Sequence, residues 1–148
     1  MLAVMIVLGL SLTAGVVVVT ASWLRTADAV ARTQTLLHQI GLAISSRNIT
    51  PVTLSQRAYE QDVGALPTTL NDLVTKPGAV AACAYTAAKV QLSGWCGPYW
   101  SSIYSGANVF ADAWGRNLVY DSANRRVYSV GANGIDEGGG GDDLVQKY

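Results

Sequence analysis

Met1 to Leu24 is an apolar run broken only by Gly9, Ser11, Thr13, Gly15, Thr20 and Ser22, with no charged residue. That exceeds the ~18–20 apolar residues needed to cross a hydrocarbon core, and as a helix it would reach roughly 36 Å. Beyond it the pattern turns amphipathic. Val30, Leu36, Leu37, Ile40, Leu42 and Ile44 recur at mixed three- and four-residue steps, as one buried helix face requires. Asp28 and Arg32 are four apart and suited to a weak pair on the exposed face. Ser45, Ser46, Asn48 and Pro51 are stop signals. The pattern predicts one helix of about 46 residues, near 70 Å. A rod that long cannot be buried in the remaining chain, so its first half needs a partner elsewhere.

Shorter elements follow. The stretch 53–60 predicts a short helix capped by Thr53, with Gln56 placed for a capping box. Leu66-Pro67-Thr68-Thr69 opens another, with Thr68 or Thr69 as cap, Asp72 near the first turn and Pro77-Gly78 as terminator. From Lys89 onward the texture is of short β-like pieces. Residues 117–121 and 126–130 flank Ser122-Ala123-Asn124-Arg125 as a hairpin. Alternation places Leu118 and Tyr120 on one face, and Val127 and Ser129 on one face of the partner strand. The expected fold class is α+β, a long helix packed on a small antiparallel sheet. Residues 1–24 form a hydrophobic membrane or filament-core helix, 25–50 its amphipathic continuation and 51–148 the head.

Composition sharpens this division. The 148 residues carry 10 basic and 10 acidic side chains and one His, a length suited to one domain. All 20 charges lie after residue 24. Zero net charge argues against a nucleic-acid partner, which favours a basic face. Three readings of the apolar segment stand. A cleaved signal would carry a basic n-region and a shorter core, whereas no basic residue precedes Arg25. A membrane anchor would use Trp23 and Arg25 as its interfacial end. A helix that sits first in a bilayer and later inside an assembly would use Gly9, Ser11, Thr13, Ala14 and Gly15 for close approach. The residues alone leave anchor and assembly open.

Catalytic patterns are lacking. His38 lies in the helical stretch, no G-x-S-x-G turn frames a serine, and no phosphate-binding glycine pattern joins a strand to a helix. No enzyme is expected. Cys83 and Cys96, with one distant His, do not make an ordinary closed zinc site. An anchored head would lie outside the cytoplasm, where a disulfide persists. That pair is expected to pin a loop with little secondary structure. The remaining chemistry is in Gly131-Ala132-Asn133-Gly134-Ile135-Asp136-Glu137, Gly138 to Gly141, and Asp142-Asp143-Leu144. Oxygen-rich side chains on permissive backbone suit Ca²⁺, although the spacing is not that of an EF-hand. A solvated glycine linker fits the same composition.

Several short motifs then fall in order. Leu66-Pro67-Thr68-Thr69 resembles Tyr-Pro-Thr-Thr, Leu73-Val74-Thr75-Lys76-Pro77 resembles Leu-Val-x-x-Pro, and Gly97-Pro98-Tyr99 a Gly-Pro/Gly-Tyr step. Asp112-Ala113-Trp114-Gly115-Arg116-Asn117 is similar to Asp-Pro-Trp-Gly-Asn. Tyr128-Ser129-Val130-Gly131-Ala132-Asn133-Gly134 resembles Ser-x-Gly-x-Asp-Gly, and Asp142-Asp143-Leu144 the following Asp-Asp-Ile. Together these resemble the major (G-type) pseudopilin of type II secretion systems, within the type IV pilin superfamily. Val4-Met5-Ile6-Val7-Leu8 is similar to the apolar start of a mature pilin.

The resemblance implies a non-enzymatic subunit of a helical filament, a homo-oligomer with N-terminal helices in its core and heads outside. It implies an inner-membrane location before assembly with the head in the periplasm, a periplasmic or extracellular filament, and minor pseudopilins and assembly machinery as partners. It also implies bound Ca²⁺. Asn133 stands where the family has a ligand Asp, and Asp142 and Asp143 match its acidic pair. The backbone oxygens of Val130 and Ile135 are further candidates, and Asp136 is a substitute acid. The departures are specific. Pilins begin with Phe and carry a glutamate at the fifth mature position, whereas residue 5 is Met here, Ala3 holds that place under the other alignment, and no acid precedes Asp28. A start at Met1 without leader or cleavage glycine fits a processed chain but does not demonstrate processing, and the kinking proline common near residue 22 is missing. An extracellular type IV pilus for adhesion, motility or DNA uptake is one alternative. A monomeric membrane-anchored calcium module is another.

Overall fold

One face of a single helix carries the head. In the computed structural model, residues 26–45, 57–86, 91–101 and 109–148 are described, and 26–44 are helical (α1). Ala29, Thr33, Leu37, Ile40, Ala43 and Ile44 of α1 are buried, with Ile40 and Ile44 fully so. Asp28, Arg32, Thr35, His38 and Gln39 face solvent. The buried stripe is rotated from the expected one. Thr33 is fully buried, while Val30, Leu36 and Leu42 are half-buried. Thr33 is accommodated because its Oγ1 accepts a hydrogen bond from the Ala113 amide at 3.1 Å. The expected Asp28–Arg32 pair forms at 2.9 Å, but both side chains are so exposed that it contributes little. The apolar segment 1–24 lies outside the described residues, as do Thr53 and Gln56 of the expected second helix. Among the described residues no helix is long and apolar enough to cross a membrane.

The second helix, α2 (Tyr59–Val63), starts later than the sequence predicts, because Ala58 is extended (φ −111, ψ 151). Ala58 is fully buried, and the preceding Arg57 reaches over the first turn to the Asp62 carboxylate. The ion pair bridges the extended Ala58 to the first turn of α2. Gly64, at φ 80, closes α2. The element opened by Thr68 and Thr69 is a single 3-10 turn, Leu70–Leu73. Its start is fixed by Asp72, whose Oδ2 accepts from the Thr68 and Thr69 amides at 2.7 and 3.2 Å. The turn drives Leu70 and Leu73 into the core.

Two small antiparallel sheets complete the α+β head, where one was expected. Strands β1 (Ala84–Thr86) and β2 (Gln91–Ser93) form the first, with Tyr85 opposite Leu92. Strands β3 (Val119–Asp121), β4 (Arg126–Ser129) and β5 (Leu144–Lys147) form the second, in the order β3-β4-β5. Tyr120 is opposite Val127, and Tyr128 opposite Val145. The β3–β4 hairpin is the expected one. Asp121 shapes its turn by accepting from the Asn124 amide and side chain at 3.0 and 2.8 Å. Leu37, Ile40, Ala43, Ile44, Tyr59, Leu70, Leu73, Leu118 and Val127 form one core, with Trp95, Tyr99, Tyr120, Leu144 and Tyr148 packed around it.

Cys83 and Cys96 are disulfide-bonded. The loop they close, expected to hold little secondary structure, carries the antiparallel β1–β2 pair. Its base is tied down further. The Cys96 amide donates to the Tyr99 hydroxyl at 2.8 Å, which donates to Asp62 Oδ2 at 3.1 Å, and the Trp95 indole donates to the Asp72 carbonyl at 2.8 Å. Replacing both cysteines by serine is expected to lower the unfolding free energy by about 3 kcal/mol, from the loop-closure entropy restored to the unfolded chain. Urea denaturation measures this, and an unchanged midpoint would contradict it.

Candidate metal centre

The chain leaves β4 at Ser129, makes the glycine and aspartate loop, and returns as β5 at Leu144. Its two ends touch at Gly131, which has φ 63 and lies so close to Asp142 that a Cβ would meet the Asp142 carbonyl oxygen at 2.3 Å. Only glycine fits there. Two arginines grip the loop. Arg116 donates to the carbonyls of Gly131 and Ala132, the latter at 3.3 Å. Arg126 donates to the Gly138 carbonyl at 2.7 Å, while its Nε holds Asp121 at 2.9 Å and its guanidinium lies 5.2 Å from the Tyr128 ring centre.

Arg116 is positioned by a buried carboxylate. Asp112 is 6% exposed, and its Oδ1 accepts from the Trp114 and Arg116 amides at 2.9 and 2.8 Å. Its Oδ2 accepts from Ser129 Oγ at 2.6 Å, and that hydroxyl accepts from the Gly131 amide at 3.2 Å. Together with the Ala113–Thr33 bond, these contacts tie α1, the Asp112 turn, β4 and Gly131 of the loop to one another.

Within the loop, carboxylate oxygens of Glu137, Asp142 and Asp143 lie within 4.8 Å of one another. Amide groups partly offset their charge. Asn133 N donates to Asp142 Oδ2 at 2.9 Å and Asp142 N to Glu137 Oε2 at 3.1 Å. Gly139 N and Glu137 N donate to Asp143 Oδ2 at 2.7 and 3.2 Å. The Asn133 amide, first among these donors, holds the Asp142 carboxyl below the usual carboxylate range. A depressed carboxyl contributes stability above its ordinary pKa, and that contribution is lost as pH falls through the lower folded value. Among the described residues the buried Asp143 Oδ1 has no hydrogen-bond partner.

The expected ligands divide accordingly. Asp142 and Asp143 come together. Asp136 is turned aside, accepting from the Tyr128 hydroxyl at 3.1 Å and the Gly138 amide at 2.9 Å. Asn133 directs its Oδ1 to the Ile135 amide at 2.7 Å and its Nδ2 to Glu137 Oε1 at 3.4 Å, so it meets the cluster as a donor. Val130, half-buried at the loop's start, and the exposed Ile135 are carbonyl candidates by position alone. Glu137 was missing from the expected set. The signal for it was the pair of acidic segments flanking four glycines, which fold the first back on the second. At Gly141 (φ 52) a Cβ would sit 1.9 Å from Glu137 Oε2. Three carboxylates this close offer hard oxygen donors, the ligand type of a Ca²⁺-like cation and not of a soft metal. The chain matches no family model, no curated protein and no solved structure.

Proposed function

We propose that this chain is a structural subunit that polymerises into a pilus-like or pseudopilus-like filament of the type II secretion kind. One observation carries the reading. The charge-free segment 1–24 runs in sequence straight into α1, whose inner face is the core of the head. The head is thus built on the second half of the predicted rod, and the apolar first half is left for another environment. A helix satisfies its own backbone in lipid and in a filament core alike. Each added subunit exchanges lipid contact for close helix packing at the small residues Gly9 to Gly15. One heterologous interface repeated with a rise gives an open helix. In the membrane, an ATPase outside this chain supplies the energy that draws the helix out of lipid; once lipid and detergent are removed, helix packing alone favours polymer. The Cys83–Cys96 disulfide supports a head in an oxidising compartment such as the periplasm.

In this reading Glu137, Asp142 and Asp143 hold Ca²⁺ and stiffen a head surface that meets neighbours. The ion supplies the positive charge that the three carboxylates lack. Saturation at 100 times the dissociation constant stabilises the head by about 2.7 kcal/mol. Chelation is therefore expected to lower the melting temperature, and Asp142→Ala with Asp143→Ala to abolish the difference. The same melting temperature with and without Ca²⁺ would remove the ion from the account. The filament itself is tested by withdrawing detergent from the purified full chain, which is expected to yield polymer. A membrane-anchored calcium module would use the same loop but stay monomeric under that treatment.

A further inference from the structure

We propose that Asn133-Gly134 is a self-modification site, at which the folded loop converts Asn133 to an acid through a cyclic imide and so adds a carboxylate beside Glu137 and Asp142. Asn133 is the only asparagine followed by glycine in the chain. Glycine lacks a side chain to obstruct attack by its own amide nitrogen, and both residues are exposed. The surroundings favour each stage. The Gly134 nitrogen loses its proton and attacks Asn133 Cγ, forming the N–Cγ bond and placing negative charge on Oδ1. Arg116 packs against Gly134 so closely that a Cβ there would lie 2.7 Å from its Cζ, and this fixed positive charge favours the deprotonated nitrogen.

The oxygen that gains charge already faces a donor, the Ile135 amide at 2.7 Å. An N–H only donates, so this contact fixes which end of the carboxamide is oxygen. A preorganised donor at the developing oxyanion is the arrangement that lowers such barriers. Nδ2, facing Glu137 Oε1 at 3.4 Å, takes from water a proton equivalent to the one the Gly134 nitrogen gave up; the Cγ–Nδ2 bond then breaks, ammonia departs and the five-membered imide is left. Solvent water then opens the ring. Attack at Cγ gives an aspartyl residue, and attack at the main-chain carbonyl gives the isoaspartyl isomer. Nothing is oxidised or reduced. Among the described residues the Gly134 amide makes no hydrogen bond that must first be broken.

The product exchanges a donor to Glu137 for a further negative oxygen. Resting on the cation reading above, this raises affinity for Ca²⁺, because ligand charge tunes such sites. Molecules that carry the aspartyl isomer would then bind the ion more tightly, so the loop's affinity would rise with the aspartyl fraction.

The folded full chain is incubated in mildly alkaline buffer at physiological temperature, digested and analysed by mass spectrometry, beside a synthetic peptide of residues 128–140. Conversion at Asn133 is expected to be at least tenfold ahead of Asn71, Asn117 and Asn124, with both isomers present. An intact Asn133 in the folded chain, while the peptide converts, overturns the proposal. Calorimetry with Ca²⁺ then compares fresh protein with the Asn133→Asp variant, which is expected to bind about tenfold tighter. Equal affinities overturn the proposed consequence. If neither binds, the cation reading falls, and the mass-spectrometric result alone decides the modification.

Discussion

Deletion of Leu144–Tyr148 leaves the head without a cooperative native state. The five residues are the third strand of the main sheet and the lid of its core. Strand β5 pairs with β4 through four residue pairs, from Arg126↔Lys147 to Ser129↔Leu144. Leu144 and Tyr148 pack on the core, and the Tyr148 ring stacks on Tyr120 with centroids 6.2 Å apart. Arg125 holds the same end, its Nε donating to the Tyr148 carbonyl at 3.1 Å and its carbonyl accepting from the Tyr148 amide at 3.2 Å. Arg125 pairs also with Glu60 of α2 at 2.8 Å, so the deletion loosens a second element. Full burial of such a side chain contributes about 1.5–3 kcal/mol, the half-buried Leu144 and Tyr148 about half of that each, and each hydrogen bond about 1 kcal/mol. The total is comparable to the ~5–15 kcal/mol that keeps a domain folded. Near-UV circular dichroism of the truncated chain is expected to be featureless, and Tyr148→Ala alone to cost about 3 kcal/mol. A truncated head that unfolds cooperatively in urea would contradict this account of β5.

Asp112→Ala is expected to destabilise the head by about 4 kcal/mol and to loosen the loop more than the rest. The carboxylate accepts from Ser129 Oγ, Trp114 N and Arg116 N in a site only 6% exposed. Hydrogen bonds to a charged group contribute about 1.5–3 kcal/mol each, and removal of the acceptor leaves buried donors unpaired. The Ser129 hydroxyl has no access to solvent. Arg116 would lose the amide contact that places its guanidinium under Gly131 and Ala132. Hydrogen exchange is therefore expected to quicken at residues 131–134 beyond the global change. A loss below about 1 kcal/mol, the size of a surface contact, would mean that Asp112 does not organise this region.

The legible parts of the fold were those fixed by local pattern. The β3–β4 hairpin followed from alternation and its turn residues, and Asp72 marked the start of the Leu70–Leu73 turn. Strand β5 was not legible. Leu144-Val145-Gln146-Lys147 has one inward apolar residue and follows an acidic, glycine-rich stretch, so only pairing with β4 makes it a strand. Strands β1 and β2 are three residues each and lie between the two disulfide-bonded cysteines, too short to leave a period-2 pattern. The late start of α2 goes with an extended Ala58 and the Arg57–Asp62 contact across it, neither of which leaves a trace in hydrophobic periodicity. At the candidate metal centre, Asp142 and Asp143 were visible as adjacent acids. Glu137 entered, and Asp136 left, because four glycines reverse the chain while Tyr128 captures the Asp136 carboxylate. Those outcomes are set by tertiary contacts.

The central claim is that residues 1–24 exchange lipid for protein as the chain polymerises. Electron microscopy of polymer grown from the purified full chain tests it most directly. The account predicts a helical filament with the 1–24 helices bundled at its axis and the heads outside. A monodisperse particle that never polymerises, or a polymer whose axis excludes these residues, would contradict it.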